Sequence, residues 1–361
     1  MSTPDLVGKA QTVLGTIEAE DLNIVLPHEH CLIDMSVWFQ EPTAASEKLI
    51  ARQPLTPENL WYVRYHPFSC MDNVQLLDEQ LAIEELKRFK LHGGSTVVDV
   101  TNIGIGRDPL ALTRISRATS LNIIMGSGYY VEKAQPAGIS MSTEMIAKDI
   151  VRDITVGVSN TGIRAGLIGE IGIMGWPMLE SEKKSLRAAA IAQKQTGAPI
   201  SIHPGNSPNS PLEIIEVLDK AGADISRVIM GHIERTMPLR KDHIKLAKTG
   251  CYLTWDTFSM EGWYPRSRRI VTSEDNPRRA DLPNDSQRVD DIMTLIDEGF
   301  LNQILISHDH CMKHRLCLYG GPGYAHILQN VVPLLMRERG IPEEHINALL
   351  IENPKRIMCF V

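Results

Sequence analysis

The chain has 361 residues and a formal net charge of −7, which allows one large α/β barrel domain and supplies no basic stripe. Nucleic acid and anionic membrane surfaces are therefore excluded as expected partners. No stretch is as long as a membrane span, the first residues do not form a secretory signal, and the six cysteines make no CxxC pair, so we expect a cytoplasmic protein with reduced thiols.

Eight short apolar segments of β type alternate with amphipathic segments of helix type. The predicted strands are residues 24–30, 95–101, 122–130, 165–172, 199–205, 228–234, 251–257 and 303–309. The intervening segments show apolar residues every three or four positions, as in VQLLDEQLAIEELKRFKLHGG, where Gly-Gly ends the helix. This alternation predicts a parallel sheet, and eight units predict a (β/α)8 TIM barrel that occupies residues 1–361 as a single domain.

Two long segments interrupt the alternation, each directly after a predicted strand. Residues 35–71 contain several prolines and aromatic residues without a clear period, and residues 258–283 are rich in arginine, proline and aspartate. Long loops in a compact domain are usually lids or binding loops, so we expect both to cover the active site. A plain surface insertion or a subunit contact is the alternative.

The run IVLPHEH places two histidines at the end of the first predicted strand. Residues two apart on a strand point to the same side, so His28 and His30 can bind one metal ion while Glu29 points away. Four later strands also end in an imidazole or a carboxylate: Glu170, His203, His232 and Asp309. One such residue alone is more often a packing residue. Here five strands carry an imidazole or a carboxylate at the carboxyl end, where barrel enzymes build their active sites. This pattern predicts a metal centre at that end of the barrel.

The predicted ligand set consists of imidazoles and carboxylates without thiolates. This composition suits Zn²⁺ or another divalent first-row ion and is unlike a closed structural zinc site. Six ligands are too many for one open catalytic site, so we predict a binuclear centre in which Glu170 bridges the two ions. His28, His30 and Asp309 would complete the coordination of the first ion, and His203 and His232 would hold the second ion.

The predicted chemistry centres on Asp309. Two ions about 3.5 to 4 Å apart can share a hydroxide that is nucleophilic at neutral pH. Asp309 would bind metal, orient this hydroxide and pass its proton to the leaving group, so we predict it as the catalytic residue. His308 and His310 flank Asp309, and each would relay that proton, support the ligands from behind, or simply pack.

The ligand pattern resembles that of the phosphotriesterase family of the amidohydrolase superfamily over nearly the whole chain. Local sequences narrow the resemblance to the phosphotriesterase-related proteins: QTVLG, AGLIGEIG, IHPG, GHIERT, YGGPGYAHILQNVVP and IENPK. The resemblance implies a barrel that is commonly dimeric, with two divalent ions on the six residues above. These ions are usually Zn²⁺, with Mn²⁺, Co²⁺ or Fe²⁺ as alternatives. The founding phosphotriesterases have a carboxylated lysine where this chain has Glu170, which argues against organophosphate hydrolysis as the natural activity.

The resemblance also implies a reaction, the deacylation of N-acetyltaurine or similar N-acyl amino acids. Such an anionic headgroup needs a cation, and the candidates are Arg235, Lys313 and Arg315, although Arg235 would equally pair with a carboxylate of the protein. Tyr130 and Trp255 are candidates for lining the acyl pocket. We therefore predict a metal-dependent hydrolase of a small anionic N-acyl substrate. The alternatives are a lactonase, carboxylesterase or phosphoester hydrolase on the same centre, and a barrel that binds a ligand without catalysis.

Overall fold

The computed structural model describes residues 6–135, 141–260, 262–263 and 281–361, with the backbone alone at 262, 263 and 281. Eight parallel strands lie side by side in chain order in one sheet that curves nearly into a closed barrel. These strands are β1 (Val25–Glu29), β2 (Thr96–Asp99), β3 (Asn122–Ser127), β4 (Leu167–Gly172), β5 (Ile200–His203), β6 (Val228–Met230), β7 (Tyr252–Trp255) and β8 (Ile304–Ile306).

A longer helix follows each strand and packs on the outside of the sheet. These helices are α1 (Glu79–Leu91), α2 (Pro109–Thr119), α3 (Thr143–Thr155), α4 (Glu180–Thr196), α5 (Ser210–Lys220), α6 (Arg240–Ala247), α7 (Asp285–Asp297) and the π-helical α8 (Ile327–Arg337). Side-chain caps begin several of them, since Asp78, Asp108, Ser142 and Asn284 each accept a backbone N–H of the first turn.

Shorter elements connect these units. The helical ones are Ala45–Ala51, Leu60–Val63, Ile233–Thr236, Glu343–Asn347, Ala348–Glu352 and Asn353–Met358, together with single 3₁₀ turns. Three antiparallel pairs join Lys9–Thr12 to Gly15–Glu18, Ile33–Asp34 to Gln75–Leu76, and Gly262–Trp263 to Asp281–Leu282. Within the described part of the chain, no helix is both long and apolar enough to cross a membrane.

The strands are buried on both faces, which accounts for their nearly continuous apolar sequences. One set of side chains fills the barrel interior, including Val25, Ile124 and Leu305, and residues such as Met358 of the last helix join it. The alternate side chains, such as Leu253 and Ile306, pack outward against the helices. The carboxyl ends of the strands remain as the place where polar side chains gather.

The junction between β8 and β1 differs from the others. Among the described residues no strand ladder joins these two strands. Instead the hydroxyl of Ser307 donates to the carbonyl of His28 at 2.8 Å, and the N–H of Asp309 donates to the same carbonyl at 3.3 Å. Side chains therefore close the barrel at this junction.

The eight predicted strands are all present, and the predicted barrel is confirmed. The observed strands are shorter than predicted. The segment predicted as 228–234 differs most, because His232 adopts a left-handed φ of 52° and the chain then enters the helix Ile233–Thr236. Residues 35–71 contain two short helices, and most of the predicted loop 258–283 lies outside the described residues.

A buried ion-pair network joins Glu234, which follows β6, to helix α7, and it gives a test of stability. Arg288 is fully buried and donates to Glu234 at 3.3 Å and to Asp285 at 2.8 Å. We expect Arg288→Met to lower the free energy of unfolding by about 3 to 5 kcal/mol, because it leaves a buried carboxylate without its cation. Urea unfolding would measure the loss. The control Arg240→Met removes a half-exposed arginine that pairs with Asp291, and it should change the free energy of unfolding little. Equal free energies of unfolding for the two variants would contradict this reasoning.

Candidate metal centre

Five strands direct polar side chains to one point at the carboxyl end of the barrel. The side chains that meet there are those of His28, His30, Glu170, His203, His232 and Asp309, the six residues predicted as ligands. Oε2 of Glu170 lies 3.4 Å from Nε2 of His28, 3.4 Å from Nδ1 of His203 and 3.6 Å from Nε2 of His232. The carboxylate of Glu170 therefore contacts imidazoles from both halves of the predicted centre, as a bridging ligand would.

Two subsets of these residues could each hold an ion. His28, Glu170 and His232 form one, and His28, His30 and Asp309 form the other, with ligand atoms within 4.8 Å of one another in each. In the second subset, Oδ1 of Asp309 lies 3.2 Å from Nε2 of His30 and 3.7 Å from Nε2 of His28. The geometry thus offers two adjacent positions with nitrogen and oxygen donors.

Several buried polar atoms here have no hydrogen-bond partner among the described residues. They are both ring nitrogens of His28 and Oε2 of Glu170, on side chains that are only 1% and 3% exposed. A buried polar group without a partner costs about 1 to 3 kcal/mol. A divalent cation would bind the imidazole lone pairs and the carboxylate together, so the residues present fit a metal site.

A second layer of side chains orients the predicted ligands. Asp256 directly follows β7, and its Oδ1 lies 2.7 Å from Nδ1 of His232, which turns Nε2 toward Glu170. Nδ1 of His30 lies 2.8 Å from the hydroxyl of Thr101. Carboxylate and hydroxyl partners of this kind fix the tautomer of metal-binding histidines. Asp256 is not among the residues predicted from the sequence, although its position at a strand end is a usable signal.

Charges within the cluster shift its pKa values. Burial opposes the charged form of His232, but the carboxylates of Asp256 and Glu170 outweigh it and raise the pKa to about 10. At His203, burial together with the charges of His232 and Arg235 outweighs Glu170 and lowers the pKa to about 4. The pKa of Asp309 lies below its usual range because the hydrogen bond with His30 and the nearby imidazoles outweigh its burial. In the metal-free protein, Asp309 is therefore ionised at neutral pH while His232 holds a proton.

A cavity of about 150 Å³ opens onto the ligands. Met35, Trp38 and Phe68, from the predicted loop 35–71, form part of its apolar wall. Tyr130 and Arg235, two of the residues predicted to bind substrate, line this cavity. The hydroxyl of Tyr130 lies 3.3 Å from Nδ1 of His203. Nη2 of Arg235 donates to the carbonyl of Pro204 at 3.1 Å.

Three predicted substrate-binding residues lie elsewhere. Trp255 is fully buried in the outer layer beside His243, because Asp256 takes the inward position on β7. Lys313 pairs with Asp72 at 2.5 Å. Arg315 donates to backbone carbonyls, including that of Asp309 at 2.7 Å. None of the three lines the cavity, so the structure places all of them away from the space onto which the predicted ligands open.

His308 is engaged on both sides of its ring. Nδ1 lies 2.8 Å from Oε1 of Glu29, and Nε2 accepts the N–H of Ile327 at 3.1 Å. His308 and His310 are fully buried, and neither lines the cavity. Among the alternatives for these histidines, the structure favours packing and support of the neighbouring residues over proton relay.

The raised pKa of His232 leads to a test by metal titration. Because a ligand imidazole must be neutral, metal binding at pH 7 should release the proton that Asp256 holds on His232, and the metal affinity should increase as the pH rises toward 10. Calorimetry with Zn²⁺ in buffers of different ionisation enthalpy measures this release. The Asp256→Asn variant should release fewer protons on metal binding than the wild-type chain does. Identical proton release by both chains would refute the assignment of this proton to His232.

Comparison with known proteins gives one family for the chain. The model of the phosphotriesterase family matches residues 8–358. A phosphotriesterase-related protein of Nematostella vectensis is 42% identical, and an N-acetyltaurine hydrolase of Dictyostelium discoideum is 40% identical; each alignment covers 98% of this chain and 99% of the relative.

Solved structures agree with the sequence relatives. A resiniferatoxin-binding protein from Rhodobacter sphaeroides is 34% identical with a TM-score of 0.91, covering 99% of this chain and 97% of that one. The lactonase Lmo2620 from Listeria monocytogenes is 25% identical with a TM-score of 0.75, covering 98% of this chain and 99% of that one. The resemblance predicted from the sequence is confirmed, the relatives support a hydrolase, and the chain belongs to the phosphotriesterase family.

Proposed function

We propose that this chain uses two divalent ions, of which zinc suits the donor set best, to deacylate a small anionic N-acyl substrate of the N-acetyltaurine or N-acyl amino acid type. The observation that carries this proposal is that Arg235 lines the same cavity as the predicted metal ligands. Relatives named N-acetyltaurine hydrolase, about 40% identical over nearly the full chain, support the choice of substrate.

The ions would be held by His28, His30, Glu170, His203, His232 and Asp309. Bound there, they would polarise the substrate carbonyl and lower the pKa of a shared water toward neutrality. Asp309 is placed to move the proton. Its carboxylate is ionised and borders the cavity, so it accepts the proton of the attacking water and gives it to the departing amine.

Two cavity residues give the substrate its orientation. The guanidinium of Arg235 provides charge-assisted hydrogen bonds for a sulfonate or carboxylate at the far end of the substrate. Burial and the nearby Glu170 raise the pKa of Tyr130 well above its usual value, so its hydroxyl stays protonated and donates. We assign it a hydrogen bond to the acyl oxygen, which gains negative charge during attack.

Other functions have specific support. The apolar wall that includes Met35, Phe68 and Met174 would also accept the ring of a lactone or the acyl chain of an ester, and a similar solved structure is a lactonase. Ligand binding without catalysis is favoured by the relative named for resiniferatoxin binding. Against that alternative stands the complete set of predicted ligands around one point.

Turnover of a substrate panel tests the proposal. The metal-loaded chain should cleave N-acetyltaurine or N-acetyl amino acids faster than neutral lactones and aryl esters. Cleavage of the lactones or esters alone would replace the substrate class, and no cleavage with full metal would favour the binding alternative.

Substitution of the cavity arginine sharpens this test. Arg235→Met should lower kcat/KM for the anionic amide by about tenfold to a hundredfold, mainly through KM, because a hydrogen bond to a charged group contributes about 1.5 to 3 kcal/mol. Neutral substrates should be affected little. The control is Arg240→Met, which removes a surface arginine of helix α6; an equal loss on neutral and anionic substrates would show that Arg235 does not bind the headgroup.

A second variant tests the proton carrier. Asp309→Asn keeps an oxygen that can bind metal but cannot accept a proton, so we expect kcat to fall by about 10²-fold to 10⁴-fold. Metal content should remain close to that of the wild-type chain. Rates are measured on the best substrate of the panel, and metal is measured on the same samples. Turnover near the native rate would remove Asp309 from this role.

A further inference from the structure

The backbone of Asp309 adopts a conformation that needs support. Its φ is 53°, in the left-handed region that non-glycine residues rarely occupy. Such a residue costs about 1 to 3 kcal/mol and persists only where its surroundings hold it. The direction of the Asp309 carboxylate depends on this backbone conformation, so whatever holds the backbone also sets the position of the carboxylate.

Glu29 holds this segment from the side of β1. Its carboxylate is fully buried and points across the junction to β8. Oε1 accepts the N–H of His308 at 2.9 Å, and Oε2 accepts the N–H of His310 at 3.0 Å. Oε1 also lies 2.9 Å from the hydroxyl oxygen of Ser307. The backbone N–H groups on either side of Asp309 therefore both donate to the carboxylate of Glu29.

Arg315 holds the same segment through its carbonyl groups. Its side chain is almost fully buried. Nη1 donates to the carbonyl of Asp309 at 2.7 Å, and Nη2 donates to the carbonyl of His308 at 2.7 Å and to that of Phe258 at 2.8 Å. The rigid fork of the guanidinium fixes two consecutive carbonyls at once, which a lysine ammonium would not reproduce.

The cluster beside Asp309 is a hydrogen-bond network and not a third ion site. Glu29, His308 and His310 are close enough together to hold a cation. However, Nδ1 of His308 faces Glu29 and Nε2 accepts the N–H of Ile327, so His308 has no lone pair left for a metal. The carboxylate of Glu29 is itself used by three hydrogen bonds, from the N–H groups of His308 and His310 and from the ring of His308.

We propose that Glu29 and Arg315 are positioning residues that together form a backbone clamp on Asp309. Glu29 accepts the N–H groups on either side of Asp309, and Arg315 donates to the carbonyls of His308 and Asp309. This inference rests on the proposed function, in which Asp309 carries the proton. Loosening the clamp moves the carboxylate relative to the water and the leaving group, and a misplacement of about 1 Å can cost about a hundredfold in rate. The cavity wall and Arg235 are not part of the clamp, so substrate affinity should change little.

Glu29→Gln tests the clamp while keeping the shape of the side chain. One carboxylate oxygen becomes an NH₂ group, so one of the flanking N–H groups loses its acceptor. The matched control is Glu85→Gln, since Glu85 is also buried and accepts two backbone N–H groups, those of Cys317 at 2.8 Å and Leu318 at 3.0 Å. We expect both variants to lose similar thermal stability, but only Glu29→Gln to lower kcat, by about tenfold to a hundredfold, with KM within about twofold.

A second readout does not depend on turnover. Co²⁺ reports ligand geometry in its visible absorption, so the Co²⁺-loaded Glu29→Gln chain should show an altered spectrum while Glu85→Gln matches the wild-type chain. Equal kcat and equal spectra for the two variants would overturn the clamp. If Glu29→Gln does not fold, Arg315→Lys decides on the same readouts. If the wild-type chain cleaves nothing in the panel, the proposed function fails, and the Co²⁺ spectra alone decide for or against the clamp.

Discussion

The mutual repulsion of buried carboxylates at the mouth of the barrel is the constraint on which this structure depends. Glu170, Asp256 and Asp309 lie within contact distance of the same imidazoles. Two unit charges 4 Å apart interact by about 4 kcal/mol at an effective dielectric of 20. Without metal, nearby carboxylates outweigh burial and raise the pKa values of His30 and His232, that of His232 to about 10, so a proton on His232 compensates part of this charge. Divalent ions would balance the same charge and bind the unprotonated ring nitrogen of His28.

Buried carboxylates also tie neighbouring strand ends together. Asp99 of β2 accepts the N–H of Cys31 beyond β1 at 2.7 Å, and Glu234 after β6 accepts the N–H of Thr257 beyond β7 at 2.8 Å. Asp256 binds the N–H of His232 at 3.0 Å, and Glu29 spans the open junction to β8. Parallel strands diverge at their ends, so backbone N–H groups there need other acceptors. The same acidic residues thus stabilise the fold and shape the site.

The fold and the convergence of the six residues predicted as ligands could be predicted from the sequence because both depend on local patterns. Strand–helix alternation identifies the barrel, and the carboxyl end of each strand identifies a place in it. The strands themselves are apolar on both faces, so sequence does not reveal which residues point inward. One position separates Trp255, predicted in the cavity, from Asp256, which faces the ligands. A shift of one residue in the strand therefore separates the residue predicted beside the cavity from the one that lies beside the ligands.

The cations after β8 were less predictable because their partners are remote in sequence. Lys313 pairs with Asp72, which lies 241 residues earlier. Arg315 binds carbonyls whose position depends on how β8 meets β1. The cavity wall likewise includes Met35, Trp38 and Phe68 from an aperiodic segment. Contacts between loops of this kind follow from the assembled barrel and not from any local pattern.

The most direct test of the metal centre is the number of divalent ions bound per folded chain, measured by elemental analysis after dialysis, for the wild-type chain and for Glu170→Ala. We expect two ions in the wild-type chain and fewer than one in the variant, because the carboxylate of Glu170 contacts imidazoles of both halves. A folded wild-type chain that binds no divalent ion when offered Zn²⁺, Mn²⁺ or Co²⁺ would contradict the proposed centre and the hydrolysis that depends on it.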